Sequence, residues 1–332
     1  MPLAAHSSAL VAAVMTVLCA GCGLGFIDQN GGGGDNLPTQ SAGPYSKLPG
    51  DVDTTANEPF ILSVFQVNLV DPSALPLPDG GFRLWFGAEP NGSQRLSEIW
   101  TIDVPDLRDR VEDEPGLAVS ADRPWENDWV GAPCVVEDGD GGLIMFYQGD
   151  ANSPSIGRAE SQDGGITWEK GDENPIITGF GQPAIGQLDD SSWVLYATRA
   201  DRPGIFRGTS ADGRTWTMDD QPVLLPRTEQ SDAFDKLAVS NPWLVVRSTS
   251  TGIAHQSLFF NGLDDADSTS VGWAGSFDGR NWSRFANPDD AVLEPDGIGE
   301  HGPTVIVEPT RGFMFYSELR QSAQSIAVAV HP

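Results

Sequence analysis

The sequence has little positive charge, little cysteine and little histidine. Its 332 residues contain 19 Lys and Arg against 47 Asp and Glu, a formal net charge of −28, and lysine occurs only at positions 47, 170 and 236. A surface this acidic repels phosphate backbones, which argues against nucleic acid as a partner. The sequence has four His and three Cys, and a Cys-x-x-Cys only at the extreme N-terminus, which argues against a structural zinc site.

Hydrophobic runs of membrane-spanning length are also lacking near the N-terminus. The apolar run over residues 9–21 is short for a transmembrane helix but suits the core of a secretory signal. Leu18–Cys22 resembles a bacterial lipobox, although Cys19 stands where Leu is usual and no Lys or Arg precedes the run. We therefore expect residues 1–21 to be a signal peptide and Cys22 to be lipidated. The alternative is a plain secretory signal with an incidental cysteine.

The next segment, residues 22–57, is rich in Gly, Pro and polar residues and includes four consecutive glycines at 31–34. Such a composition buries too little apolar surface to fold, so we expect a flexible tether. These features predict an exported protein of the bacterial cell envelope, lipid-anchored at the outer membrane or the cell surface. Its contact with the membrane would be through the anchor only.

What the sequence does have is turn residues and tryptophan: 38 Gly, 25 Pro and 10 Trp. Three segments share one Ser-x-Asp-Gly…Trp turn, with the aspartates at 163, 212 and 278. Asp and Gly favour a hairpin turn, and alternating apolar residues precede each turn, as half-buried strands require. The sequence therefore predicts repeated β-hairpins.

A second repeated element is an x-Pro-x-apolar strand opening, followed by an aromatic strand. Its prolines stand at 72, 133, 183, 242 and 303, spaced 61, 50, 59 and 61 residues apart. Five repeats of about four strands each predict an all-β five-bladed β-propeller over residues 58–332. The fifth repeat stops one strand short, so we expect residues 59–66 to supply its outer strand and close the ring.

These segments resemble the five-bladed propeller glycoside hydrolases, which include families 43, 32 and 130. The clearest stretches are Gly131–Gly149, Ile156–Trp168 and Asn174–Ile177. The resemblance implies carbohydrate as the partner and two-carboxylate acid/base catalysis. The blade-opening positions become the candidate site, because the Asp-Gly-Trp turns project from the opposite face of a propeller.

The resemblance implies roles for two carboxylates. Asp71, directly before Pro72, matches the blade-one base or nucleophile, and Glu300, near the last Gly-Pro, matches the proton donor. Glycoside hydrolysis needs two such carboxyls, about 5–5.5 Å apart for retention or about 6.5–9.5 Å for inversion. A third family carboxylate, which orients the acid, has no clear match, since the other openings carry Ala132, Gln182 and Asn241. Further substrate-binding candidates near second-strand ends are Gln148, Asp150, Arg199, Glu318 and Arg320, with Asn241.

The function we expect from the sequence is thus a glycoside hydrolase-like envelope lipoprotein acting on a poly- or oligosaccharide. Two alternatives stay open: a non-catalytic carbohydrate-binding or scaffolding propeller, and a six-bladed sialidase, which shares the Asp-Gly-Trp turns. We expect a monomer and no metal or other cofactor. The acidic loop Asp264–Asp267 leaves Ca²⁺ as an alternative, through oxygen ligands.

Overall fold

The computed structural model describes residues 44–48, 60–64, 66–90, 96–107, 111–189, 192–248, 254–284, 291–294, 299–320 and 323–332. The predicted signal peptide, Cys22 and most of the predicted tether lie outside these residues. Within them the regular secondary structure is β-strand, apart from one short 3-10 helix at Pro124–Glu126. No helix in these ranges combines the length and hydropathy needed to cross a bilayer.

The described strands form five antiparallel sheets. Two short strands precede the first complete sheet, β1 (Ser46–Lys47) and β2 (Phe60–Leu62). Blade one is β3 (Val67–Pro76), β4 (Phe82–Pro90), β5 (Glu98–Val104) and β6 (Gly116–Val119). Blade two is β7 (Val130–Glu137), β8 (Leu143–Gly149), β9 (Ser155–Ser161), β10 (Glu169–Lys170) and β11 (Ile177–Thr178).

The remaining three sheets repeat the pattern. Blade three is β12 (Gly181–Asp189), β13 (Ser192–Thr198), β14 (Ile205–Ser210) and β15 (Thr217–Leu224). Blade four is β16 (Ala238–Ser248), β17 (Ala254–Leu263), β18 (Thr269–Ser276) and β19 (Ser283–Arg284). Blade five is β20 (Glu300–Val307), β21 (Gly312–Arg320) and β22 (Ala323–His331), completed by β1 and β2.

The innermost strands close a ring. In turn β3 contacts β7, β7 contacts β12, β12 contacts β16, β16 contacts β20, and β20 contacts β3 again. The predicted five-bladed propeller is therefore confirmed. The described sheets number five, so the six-bladed sialidase alternative is wrong.

The ring is closed by the N-terminal part of the chain. β2 pairs with β22, as predicted for residues 59–66. β1 also pairs with β22, which the sequence did not lead us to expect. The Tyr45 N–H donates to the Val292 carbonyl (2.8 Å), and its ring packs edge-on against Phe259. The predicted tether of residues 22–57 therefore extends too far, because residues 44–48 belong to blade five.

The Asp-Gly-Trp turns stabilise their own hairpins. Asp163 Oδ1 accepts the backbone N–H groups of Ile166 (3.1 Å) and Thr167 (3.0 Å), and the other two turns repeat this pattern. Hydrogen bonds from Thr215 and other turn backbone groups lower the pKa of Asp212 to about 2. The three aspartates are thus ionised acceptors that hold the turns in place.

A second repeated feature lies on the outer strands. In three blades a cation occupies the same register position, opposite an alanine of the third strand. Each cation forms an ion pair with a fully buried carboxylate: Lys170 with Glu126 (2.6 Å), Arg284 with Asp235 (3.2 Å), and Lys47 with Glu300. Because a buried charge is costly without a partner, these pairs fix the outer strands to the loops or strands inside them.

Candidate active site

The blade-opening positions adopt one unusual backbone conformation. The residue before each proline has a positive φ: Asp71 (49°), Ala132 (45°), Gln182 (54°), Asn241 (45°) and Gly302 (57°). Each lies at a break in the register between the first and second strands of its blade. A non-glycine residue at positive φ is uncommon, so four of them in equivalent places indicate that the closed ring imposes this geometry.

These bulges line a pocket at the axis of the ring. Among the described residues, its walls are the five pre-proline residues, their prolines and Trp243. Trp243 is buried, and its Nε1–H donates to the Val305 carbonyl (2.9 Å). The space that water can occupy is ≈ 20 Å³, about the size of one water molecule or one hydroxyl group. A Cβ atom at position 302 would collide with the Asp71 carboxylate, so the pocket requires glycine there.

Asp71 supplies the carboxylate that lines the pocket, and amide side chains orient it. Asn241 Nδ2 donates to Asp71 Oδ1 (2.6 Å), and Gln182 Nε2 donates to Asn241 Oδ1 (2.8 Å). Thr198 Oγ1 in turn donates to Gln182 Oε1 (2.7 Å). This chain of bonds fixes the direction of each amide and directs a donor at Asp71.

The surroundings of Asp71 favour its protonated form. Together they raise the pKa of Asp71 to about 7: burial is the largest cause, the negative charge of Glu89 also raises the pKa, and the hydrogen bond from Asn241 lowers it. Asp71 therefore exchanges a proton close to neutral pH, as a general acid or base requires. The sequence signal for Asp71 was its Asp-Pro opening, and the structure places it at the axis.

Three side chains at second-strand ends hold the backbone of the next blade. Gln148 Oε1 accepts the Gln182 N–H (3.0 Å), Asn261 Oδ1 accepts the Gly302 N–H (2.8 Å), and Ser317 Oγ accepts the Asp71 N–H (3.0 Å). Gln148 was predicted to bind substrate, but its side-chain oxygen holds the scaffold of the pocket. Asn261 and Ser317 were not predicted. Both occupy the same place in the repeat as Gln148: each lies on the second strand of its blade and pairs with the residue two positions before the blade-opening proline. This shared position is the signal in the sequence that could have identified them.

The structure does not bring Glu300 to the pocket. Glu300 and Glu318 are cross-strand partners, both buried, and both form ion pairs with Lys47, at 3.4 Å for Glu318. Glu300 lies two residues before Gly302, where the other blades carry buried apolar side chains: Leu69, Val130, Phe180 and Val239. This position faces the blade interior, so the predictions of Glu300 as proton donor and Glu318 as substrate ligand are not supported by their placement.

Arg199 and Asp150 lie outside the pocket walls. Arg199 forms an ion pair with Asp201 (2.7 Å) and lies over the ring of Phe180. Asp150 Oδ1 accepts the Asn152 N–H (2.9 Å) within a turn. Arg320 ends β21, opposite Ala323. Of the predicted site residues, the structure brings together Asp71 and Asn241 at the axis.

The acidic loop considered for Ca²⁺ binds its own backbone. Asp264 Oδ1 accepts the N–H groups of Ala266 and Ser268 (2.9 Å each), and Asp265 pairs with Lys236. Across the described ranges, no group of three or more His, Cys, Asp or Glu side chains is arranged to hold a metal ion.

The fold is that of solved propeller glycoside hydrolases. A glycosyl hydrolase from Bacteroides ovatus matches with a TM-score of 0.67 at 15% identity, covering 89% of this chain and 95% of that one. A glycoside hydrolase of family GH130, described as targeting β-1,2 mannosidic linkages in Candida mannan, matches with a TM-score of 0.67 at 14% identity over the same shares.

A third structure, described as an RGII complex, matches with a TM-score of 0.66 at 13% identity, covering 88% of this protein and 92% of that one. No family profile and no curated protein sequence matches the chain. At these identities the comparison establishes the five-bladed fold shared with glycoside hydrolases.

Proposed function

We propose that this protein is a glycoside hydrolase whose reacting carboxyl is Asp71. The observation that carries the proposal is the placement of this side chain, alone among the carboxyls of the described residues, in the wall of the axial pocket. The likeness to propeller glycoside hydrolases supports the choice of carbohydrate as the substrate class.

In the proposed reaction Asp71 is the base. In inverting hydrolysis of a glycoside, a carboxylate takes a proton from the water that attacks the anomeric carbon, the bond to the leaving oxygen breaks, and that oxygen receives a proton from a second acid. The pocket has room for one water-sized group beside Asp71, and the Asn241 amide holds the carboxylate in one orientation. A base whose pKa lies near the working pH is ionised often enough to act and still basic enough to take the proton. The pKa of about 7 meets this condition.

A carbohydrate-binding propeller without catalysis is the second candidate. Its support is that glycoside hydrolysis uses two carboxyls, whereas Glu300 is fully buried and ion-paired and the pocket wall carries Asn241 and Gln182 where carboxylates could stand. In this alternative Asp71 and Asn241 would bind one sugar hydroxyl without turnover.

The test is release of reducing sugar by the purified protein from arabinans, xylans, fructans and mannans. Asp71→Asn keeps the size of the side chain and its acceptor for Asn241, and we expect a loss of at least 10²-fold in kcat/KM. The matched control is Asp79→Asn, an exposed turn residue of the same blade, with unchanged activity. No release from any substrate, with retained binding of one of them, would favour the non-catalytic alternative. Full activity in Asp71→Asn would refute the assigned site.

We also propose that the protein is displayed on the cell envelope through a lipid at Cys22. The support is the lipobox-like Leu18–Cys22 followed by a Gly- and Pro-rich stretch, which would leave the propeller free of the membrane surface. Incorporation of radiolabelled palmitate should occur in the natural chain and be lost in Cys22→Ser. Equal labelling of both chains would contradict the proposal.

A further inference from the structure

Glu89 is a carboxylate near the axial pocket that the sequence did not single out. It lies next to the last residue of β4 and is half-buried. Trp129, which immediately precedes β7 of blade two, donates its Nε1–H to Glu89 Oε1 (3.1 Å). The bond fixes the carboxylate at the junction between blades one and two.

This junction differs from the other four. At those, a side-chain oxygen of the preceding blade accepts the N–H of the pre-proline residue: Gln148, Gln182, Asn261 and Ser317 serve in this way. At the first junction the corresponding second-strand residue is Gly87. A Cβ atom there would meet the Val70 side chain at 2.7 Å, and a Cβ on Gly131 would meet the Trp129 ring at 2.7 Å. Apolar groups therefore replace the polar bridge beside Asp71.

We propose that Glu89 is a positioning residue of the axial site, which holds a negative charge toward Asp71 across this apolar junction. Glu89 and Gly87 share one face of β4, about 6.8 Å apart along the strand. Gly87 pairs with Val70, the neighbour of Asp71, and Glu89 pairs with Asn68, so Glu89 lies on the strand beside Asp71, one side-chain repeat beyond Val70. Because Glu89 is half-buried, solvent screens this charge only in part.

Among the described residues, the groups of the other blades that contact Asp71 or line the pocket beside it are uncharged. They are Asn241 of blade four, Ser317 and Gly302 of blade five, and Ala132 of blade two. The negative charge of Glu89 is the electrostatic contribution that raises the pKa of Asp71 beyond the effect of burial. The role in catalysis rests on the proposed function. Through this charge Glu89 makes Asp71 a stronger base at neutral pH.

The experiment compares Glu89→Gln with Glu98→Gln. The first variant retains a side-chain oxygen that can accept from Trp129 but loses the charge. Glu98 is the matched control, because it is a carboxylate of the same blade that also accepts a tryptophan N–H, from Trp100 at 3.3 Å. The ¹³C chemical shift of the Asp71 carboxyl carbon is followed against pH in each protein. The acid limb of kcat/KM is recorded on any glycoside that the protein cleaves.

We expect the pKa of Asp71 to fall in Glu89→Gln and to stay unchanged in Glu98→Gln, with the acid limb of kcat/KM moving to lower pH by the same amount. A general structural defect would instead lower the rate equally at every pH. An unchanged pKa of Asp71 in Glu89→Gln would overturn the inference. If no glycoside is cleaved, the proposed function fails, while the titration still decides whether Glu89 acts on Asp71.

Discussion

Replacing Asp71 with asparagine should stabilise the protein at alkaline pH. Folding raises the pKa of Asp71 from 3.8 to about 7, so between these values the folded chain binds more protons than the unfolded chain. The free energy of unfolding must then fall as the pH rises through this window. Asparagine removes the titration, keeps an acceptor for Asn241, and is one of the residues that tolerate a positive φ.

The size of the effect follows from the shift. A difference of about three pH units corresponds to about 4 kcal/mol once Asp71 is ionised in both states. Over the range from pH 5 to pH 8 the gain from Asp71→Asn should grow by about 2–3 kcal/mol, and by less where solvent screens the charge. The protein thus carries a destabilised carboxylate where the proposed reaction needs a base.

Urea unfolding at pH 5 and pH 8 measures this difference directly. Wild type, Asp71→Asn and the exposed control Asp79→Asn would be compared by tryptophan fluorescence, with the slopes of the unfolding curves required to agree. A gain from Asp71→Asn that does not change with pH would show that the pKa of Asp71 is not raised on folding.

Three further predictions concern the buried ion pairs and the turns. Lys170→Met leaves Glu126 buried without its cation and should lower the free energy of unfolding, measured by urea titration, by about 3–5 kcal/mol. Adding Glu126→Gln removes the buried charge and should recover much of this loss. An equal loss in the single and the double variant would contradict this prediction. Lys47 faces two buried carboxylates, so Lys47→Met should lower the midpoint of thermal unfolding more at pH 8 than at pH 5 when measured by calorimetry. A loss of the same size at both pH values would contradict this. Asp278→Ala removes the hydrogen-bond acceptor of a turn and should lower the free energy of unfolding by about 1–2 kcal/mol without affecting activity. Loss of activity in this variant would place the turn in the active site.

The sequence predicted the architecture because the architecture is repeated. A proline opens each of the five blades and an Asp-Gly-Trp turn marks three of them, so the same local signal occurs several times along the chain. The closing strand near residue 60 was predictable from the missing last strand of the fifth repeat. β1 was not, because Ser46 and Lys47 lie in a stretch without alternating apolar residues, and their partner is nearly 300 residues away.

The candidate site was predicted only in part. Asp71 and Asn241 precede prolines that open blades, and the five-fold repeat brings such residues to the axis whatever their chemistry. Glu300 lies two residues before the pre-proline position of blade five, and side chains at this place in the repeat point into the blade interior. Whether Glu300 faces the axial pocket or the blade interior depends on the register of β20 against β21, which composition and spacing do not specify. Glu89 escaped notice because its role depends on what its neighbours lack, namely side chains at Gly87 and Gly131.

The pH dependence of kcat/KM on a cleaved glycoside tests the central claim that Asp71 is the base of the axial site. We expect kcat/KM to rise with pH through about 7, following the ionisation of Asp71, and Asp71→Asn to abolish both the rate and this dependence. A rate that is constant through pH 7, or that persists in Asp71→Asn, would contradict it.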